Sequence, residues 1–329
     1  MREFGYARPE DAAGAVAAFT GAANARYLGG GTNLVDLMKL DVERPSLLVD
    51  VSWLPLDAIT VEKDGTVTIG AAVRNSDLAA HPVIRSRFPA VAEAVLAGAS
   101  GQLRNQATLG GNLMQRTRCP YFMDVTKPCN KRHPGTGCPA RTGEHHNSAI
   151  LGASEHCIAT GPSDLAVALT ALDAQVLLRE GDTERAVPIE QLRRLPGDRP
   201  DLETTAAPDA LIVGVALRPG PLPIRSRYRK VRERASFAFA IGSIAAALDM
   251  REGRIADCRI AWGAVAAVPW RARRAEATLL GQPATAGAFA AAADSELAQA
   301  VPLPGNAYKV DLIRNLTVET LTALAGGPR

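Results

Sequence analysis

The chain has 329 residues, 47% of them hydrophobic and 22% charged, with 37 Lys and Arg against 34 Asp and Glu. This length exceeds one ordinary core and implies two or three domains, while a charge balance interleaved everywhere except around Arg225 to Arg234 argues against nucleic acid as a partner. No apolar run approaches the roughly 20 residues that cross a bilayer, and Met1 to Pro9 lacks the apolar core of a signal peptide, so a membrane role is excluded and folding in the cytoplasm is expected.

Taken in order, Asp11 to Phe19 is an alanine-rich segment that predicts a short helix. Tyr27-Leu28 predicts a strand running directly into Gly29-Gly30-Gly31-Thr32-Asn33-Leu34. Three glycines let a ligand approach the backbone with no Cβ in the way; the turn is either a nest of N–H groups for a phosphate or a plain strand-to-helix turn. Ser46 to Val51 and Thr66 to Ala71 predict strands, Ser76 is a candidate cap for a helix through Ala80, and Ala90 to Ala97 predicts a helix stopped by Gly98.

A second glycine turn, Arg104-Asn105-Gln106-Ala107-Thr108-Leu109-Gly110-Gly111-Asn112, opens the stretch around which the chain is organised. Two such turns suit a grip on the two ends of one long ligand. Beyond it, a helix from Leu165 to Ala174 capped by Ser163, strands at Gln175 to Arg179 and Leu211 to Leu217, and a surface loop from Leu195 to Pro208 are predicted. Arg218-Pro219-Gly220-Pro221-Leu222-Pro223 suits a stiff domain junction. The remainder, with Phe237 to Leu248, Arg259 to Val265 and an alanine-rich helical region from Pro283 to Ala300, predicts a separate α+β domain.

Four of the five cysteines, Cys119, Cys129, Cys138 and Cys157, lie between the second glycine turn and Asp164, separated by nine, eight and eighteen residues. That spacing matches neither a zinc ribbon nor a bacterial ferredoxin. Six prolines and glycines between Pro128 and Gly143 forbid long helices, so the loop calls for an external staple such as a metal or cluster held by thiolates. Zinc is the rival, because His133, His145, His146 and His156 lie in the same loop, although each also reads as a solvent-facing histidine; unliganded cysteines are the plain alternative. Arg116, Arg118, Lys127, Lys131, Arg132 and Arg141 either stabilise an anionic cluster or form a solvated basic face. Cys258 reads as an ordinary residue of an apolar strand.

Residues Gly29 to Leu34 followed by Met38-Lys39 resemble the first flavin loop of the FAD subunits of the molybdenum hydroxylases, the xanthine dehydrogenase group. Arg104-Asn105 with Ala107 to Asn112 resembles the second loop, Ser163-Asp164 the acid that follows, and Tyr228-Arg229-Lys230 and Val268 to Ala272 landmarks of the C-terminal domain. The Cys119 to Cys157 loop is similar to the insertion that carries a 4Fe-4S cluster in the medium subunits of 4-hydroxybenzoyl-CoA reductase and of periplasmic aldehyde oxidoreductases, and the flanks Gly98 to Thr108 and Gln115 to Phe122 resemble the latter more.

The resemblance implies an α+β chain: a two-subdomain FAD-binding fold of the vanillyl-alcohol-oxidase and xanthine dehydrogenase type over 1–220 (subdomains 1–55 and 56–220, with the iron-sulfur insertion at 115–160), then a C-terminal domain over 224–329. It implies FAD held by Arg26, Tyr27, Leu28, Gly29, Gly30, Gly31, Thr32, Asn33 and Leu34 of the first loop, by Ala107, Thr108, Gly111 and Asn112 of the second, and by Arg118, Asp164 and Lys230. Asp164 is expected on a ribityl or ribose hydroxyl rather than on phosphate, Lys230 near the flavin ring, and the four cysteines on one cluster. No residue of this chain is expected to act as a substrate base. Partners implied are a large molybdenum-cofactor subunit that oxidises an aldehyde, a small 2Fe-2S subunit and an external electron acceptor. A folded complex could leave the cytoplasm on a partner's twin-arginine signal. A different molybdenum hydroxylase, a self-sufficient flavin oxidoreductase and a zinc-stapled interaction module are the competing readings.

Overall fold

The computed structural model describes residues 1–326 and contains three sheets. The first is parallel, with β1 (Gly5–Ala7), β2 (Ala25–Leu28) and β3 (Leu47–Asp50) in the order β1-β3-β2. Its crossover helix Ala12–Thr20 starts where Asp11 Oδ1 accepts from Gly14 N at 2.7 Å. Both β2 and β3 deliver their carboxyl ends to the same edge, the place where α/β sheets bind ligands, and β2 passes straight into the first glycine turn.

The second sheet contains β4 (Ile59–Val61), β5 (Val67–Gly70), β6 (Gln175–Glu180), β7 (Thr183–Pro188) and β8 (Leu211–Leu217), antiparallel in the order β4-β5-β8-β6-β7. Inward side chains such as Val67, Ile69, Val176 and Val215 share one core with helices Pro89–Ala97, Leu109–Met114 and Asp164–Ala171. The third sheet, β9 (Ser226–Val231), β10 (Gly242–Arg251), β11 (Arg254–Gly263) and β12 (Trp270–Arg271), is antiparallel in the order β12-β11-β10-β9. Strand β10 is buried on both faces: Ala245 and Ala247 join the core of the second layer, while Ile244, Ala246 and Leu248 join Trp262, Phe289 and Ile313 beneath helices Arg273–Leu279, Ala286–Leu297 and Tyr308–Ala325. That double burial explains its unbroken apolar run. Among the described residues, no helix is long and apolar enough to cross a membrane.

One local expectation is corrected. Ser76 caps nothing, because the helix there is Asn75–Ala80 and its N-cap position is Arg74, which makes no capping bond. In the proline-rich junction, Pro221–Ile224 forms one helical turn, with proline at the position where a missing N–H costs least. Within Phe237 to Leu248, the strand begins at Gly242.

Candidate functional site

The two glycine turns pack on each other. Gln106 Nε2 donates to Gly30 O at 3.2 Å, and a Cβ built on Gly30 would stand 2.0 Å from the Gln106 carbonyl oxygen and 2.9 Å from Ala107 Cα. A Cβ on Gly29 would meet Thr108 Oγ1 at 2.7 Å. Gly31 adopts φ +75°, the left-handed region that glycine occupies without strain. Thr108 is buried, and its hydroxyl accepts from Gly111 N at 3.2 Å to cap helix Leu109–Met114. The glycines are therefore required first by the contact between the loops, which then present one shared edge.

That edge borders a cavity of about 600 Å³. Of the residues expected at the site, Thr32, Asn33, Ala107, Gly111 and Asn112 line it from the loops, and Arg118, Asp164 and Lys230 from the opposite walls. Arg26, Tyr27, Leu28, Gly29, Gly30, Gly31, Leu34 and Thr108 do not line it. The Arg26 side chain pairs with Glu43 at 3.2 Å, and Tyr27 stacks on Phe19 and donates its hydroxyl to Asp209 O at 2.6 Å. Asn33 Oδ1 accepts from Arg116 N at 2.8 Å, and Asn112 Oδ1 from Ser163 Oγ at 2.7 Å, so both asparagines anchor loops.

On the far wall, Asp164 Oδ2 accepts from Lys230 Nζ at 2.8 Å, and Oδ1 from the Tyr228 hydroxyl. Burial, reinforced by the charge of Asp164 and its hydrogen bond, holds the Tyr228 phenol well above its usual pKa. Lys230 also donates to Ala97 O at 3.2 Å, so its cation is both compensated and fixed in direction. At the mouth, the Arg118 guanidinium lies 5.0 Å from the Phe239 ring centroid, and burial lowers its pKa against the pull of Asp36. Two buried polar atoms of cavity-lining residues have no hydrogen-bond partner: Asn75 Oδ1 and Ser243 Oγ. A cavity edged by Gly111 and lined by the polar side chains of Thr32, Asn33, Asn112, Arg118, Asp164 and Lys230 fits a long polar ligand such as FAD. Neither Asn75 nor Tyr228's bond to Asp164 was legible beforehand, since a lone Asn beside Arg74 carries no motif.

The cysteine loop is anchored more firmly than its composition suggests. Phe122 and Cys129 pack with Leu37 in a small core of their own, and Ile150 and Leu151 join the core of the third sheet. Arg116 bonds Glu43 and, at 2.8 Å, Glu203, which also pairs with Lys131 at 3.3 Å and Arg193 at 3.4 Å. Burial pushes the Glu203 carboxyl up, but the charges of Arg116, Lys131 and Arg193 outweigh it and bring the pKa to about 2. Arg116 and Lys131 thus serve an internal ion network rather than a solvated basic face. Of the histidines, His133 and His156 are exposed as expected. His145 and His146 are half-buried instead: His145 Nε2 accepts from Gly305 N at 3.0 Å, and His146 stacks on Tyr308.

All four loop cysteines are free thiols, and Cys258 sits apart, buried in β11. Burial raises the Cys119 thiol, the Phe122 and Tyr121 amides oppose it, and the charges of Cys129 and Cys138 push it further up. Burial takes Cys157 up to about 11, with Lys131 opposing and Cys138 and Cys119 adding. These influences link Cys119 with Cys129 and Cys138, and Cys157 with Cys138 and Cys119. Among the described residues, no three His, Cys, Asp or Glu side chains are grouped so as to hold a single metal ion. Cys119 also lines the cavity, so the thiol cluster and the cavity share a wall.

Residues 2–218 match the family model described as the FAD binding domain in molybdopterin dehydrogenase, and residues 226–324 the CO dehydrogenase flavoprotein C-terminal domain. The chain belongs to the FAD-binding medium subunits of the molybdenum hydroxylases. It is 46% identical over 323 residues, covering 98% of both chains, to the aldehyde oxidoreductase FAD-binding subunit PaoB of Escherichia coli strain K12. The glyceraldehyde dehydrogenase medium chain of Sulfolobus acidocaldarius is 25% identical over 281 residues, or 85% of this chain and 82% of that one. Among solved structures, a chain of carbon monoxide dehydrogenase from Hydrogenophaga pseudoflava superposes with a TM-score of 0.77 at 25% identity, covering 99% of this chain and 98% of that one.

Proposed function

We propose that this chain is the FAD- and 4Fe-4S-containing electron-transfer subunit of a molybdenum-dependent aldehyde oxidoreductase that converts aldehydes, aromatic ones foremost, to carboxylic acids. The observation that carries the reading is the end-to-end similarity to an aldehyde oxidoreductase FAD-binding subunit, at an identity well above that to the carbon monoxide or glyceraldehyde enzymes. The chain would work in a heterotrimer with a large molybdenum-cofactor subunit and a small 2Fe-2S subunit, and would pass electrons to an external acceptor. Domains over 1–220 and 224–329, and travel of the folded complex on a partner's export signal, belong to the same proposal.

FAD, when bound, supplies the change between two-electron and one-electron transfer. The protein's part is to hold and bias it. The first glycine turn would offer N–H groups to a diphosphate, whereas the second spends those of Ala107, Leu109, Gly110, Gly111 and Asn112 on protein acceptors; Asp164 suits a sugar hydroxyl, and the fixed Lys230 cation favours negative charge nearby. Cys119, Cys129, Cys138 and Cys157 would hold the cluster. The influence of Cys129 and Cys138 on the Cys119 thiol, and of Cys138 and Cys119 on Cys157, supports placing these thiols on one group.

The test is anaerobic mixing of the purified complex with an aromatic aldehyde. The proposal expects flavin and iron-sulfur absorption to bleach together and the carboxylic acid to form. Absorption that no aldehyde bleaches, or a colourless zinc protein, contradicts it.

A further inference from the structure

One buried amide ties together three cysteine-bearing turns. Asn130 is 6% exposed and directly follows Cys129. Its backbone N–H donates to Gly137 O at 2.9 Å, and its side-chain Oδ1 accepts from Gly137 N at 2.7 Å, so Asn130 takes both backbone groups of the residue before Cys138. Gly137 adopts φ +107°, a conformation that residues with a side chain rarely enter. The other end of the amide, Nδ2, donates to His156 O at 3.0 Å, one residue before Cys157.

The remaining cysteine is joined to this frame by a guanidinium. Arg132 Nη1 donates to Tyr121 O at 2.8 Å, Phe122 O at 2.6 Å and Asp124 O at 2.9 Å, at the carboxyl end of the short helix Pro120–Met123, whose N-cap position is Cys119. Fixing Asn130 against His156, 26 positions away, costs loop entropy, and what it achieves is to set the turns of Cys129, Cys138 and Cys157 side by side. Ala159 N–H also donates to Cys157 Sγ at 3.5 Å, a bond that favours the thiolate. We propose that Asn130 is a positioning residue for the metal centre: it holds Cys129, Cys138 and Cys157 in the mutual register that one cluster requires, acting through the backbone of their neighbours. This proposal deepens the reading that the four cysteines hold one 4Fe-4S cluster, and rests on it.

The test uses the complete complex. Asn130→Ala removes both side-chain bonds and leaves the backbone bond to Gly137. Asn130→Asp keeps an acceptor for Gly137 N but sets a carboxylate against His156 O, which frees the Cys157 turn alone. Extraction of iron by a chelator and the electron paramagnetic resonance of the dithionite-reduced cluster are followed beside flavin per chain. Both variants should lose iron on the order of ten-fold faster than the parent, with an altered resonance line shape and unchanged flavin. Should the alanine variant be insoluble, the aspartate variant carries the same expectation. Parental extraction and line shape in either soluble variant overturn the proposal, because a side chain that only stabilised the fold would leave an assembled cluster unaltered. Iron and flavin that fall in step also overturn it, since Asn130 would then serve the whole chain. A parent complex that holds zinc, or no sulfide-bound iron, overturns the cluster reading itself and this proposal with it, and the parent alone reveals that outcome.

Discussion

Lys230 Nζ donates to Asp164 Oδ2 at 2.8 Å, with the two side chains only 3% and 11% exposed, so the cavity wall is built on a nearly buried ion pair. Removing one member strands the other charge, whereas removing both leaves a neutral wall. Lys230→Met should therefore destabilise the protein by about 3–5 kcal/mol, and the double variant with Asp164→Asn by much less than the sum of the two singles. Denaturant midpoints of the four proteins in a double-mutant cycle check this; additive losses would mean that the pair is not coupled.

Gly30 and Gly111 should respond differently to an added side chain. At Gly30 the first methyl group meets backbone, with the Gln106 carbonyl oxygen 2.0 Å from a built Cβ, whereas at Gly111 it meets only Thr108 Oγ1 at 3.1 Å. Gly30→Ala is expected to prise the two loops apart and lower flavin content severely, and Gly111→Ala to lower it mildly. Flavin per chain, measured on the purified variants, ranks them. Equal occupancy in both would show that the loop contact does not control binding.

Acid should act on the ion network through Glu203. Its folded pKa of about 2 lies below the ordinary 4.5, so its pairing contributes stability that is present above pH 4.5 and lost as pH falls toward 2. The contribution is on the order of 3 kcal/mol. Glu203→Gln should lower the melting temperature at pH 7, and the gap to the parent should narrow as pH drops through that window. A gap independent of pH would remove the ion network as its cause.

Cys119, Cys129, Cys138 and Cys157 should each be needed for iron and acid-labile sulfide, and Cys258, buried at 1% exposure in β11, should not. Single Ser substitutions in the loop are expected to lower both analytes and solubility, because ligation also contributes folding energy. About one zinc per chain in place of sulfide-bound iron would contradict the cluster.

Much of the frame was legible because local signals and tertiary roles agree. Asp11, Ser163 and Gly98 mark helix ends that the fold uses as such, and the runs at Leu47 and Leu211 are buried strands. Helix Tyr308–Ala325 was not read, since its buried face interleaves Ile313, Leu316 and Leu321 with Lys309, Thr317 and Thr320, which break up the apolar stripe. Those residues find partners only after folding: Lys309 Nζ donates to Ala264 O at 2.8 Å, and Thr317 Oγ1 accepts from Trp262 Nε1 at 3.0 Å. Both glycine turns were visible as motifs, but their contact was not, because 76 residues of chain separate Gly30 from Gln106 and no local pattern encodes it. The same holds for Glu203, whose three cationic partners come from Arg116, Lys131 and Arg193.

The central claim is that FAD sits without a covalent bond in the cavity between the paired glycine turns, Asp164 and Lys230. No cysteine or histidine stands in either turn. The direct measurement is acid precipitation of the purified complex followed by separate flavin assays of supernatant and pellet. The account predicts about one FAD per chain in the supernatant and none in the pellet. Flavin that remains with the precipitated polypeptide, or its absence from both fractions, would contradict it.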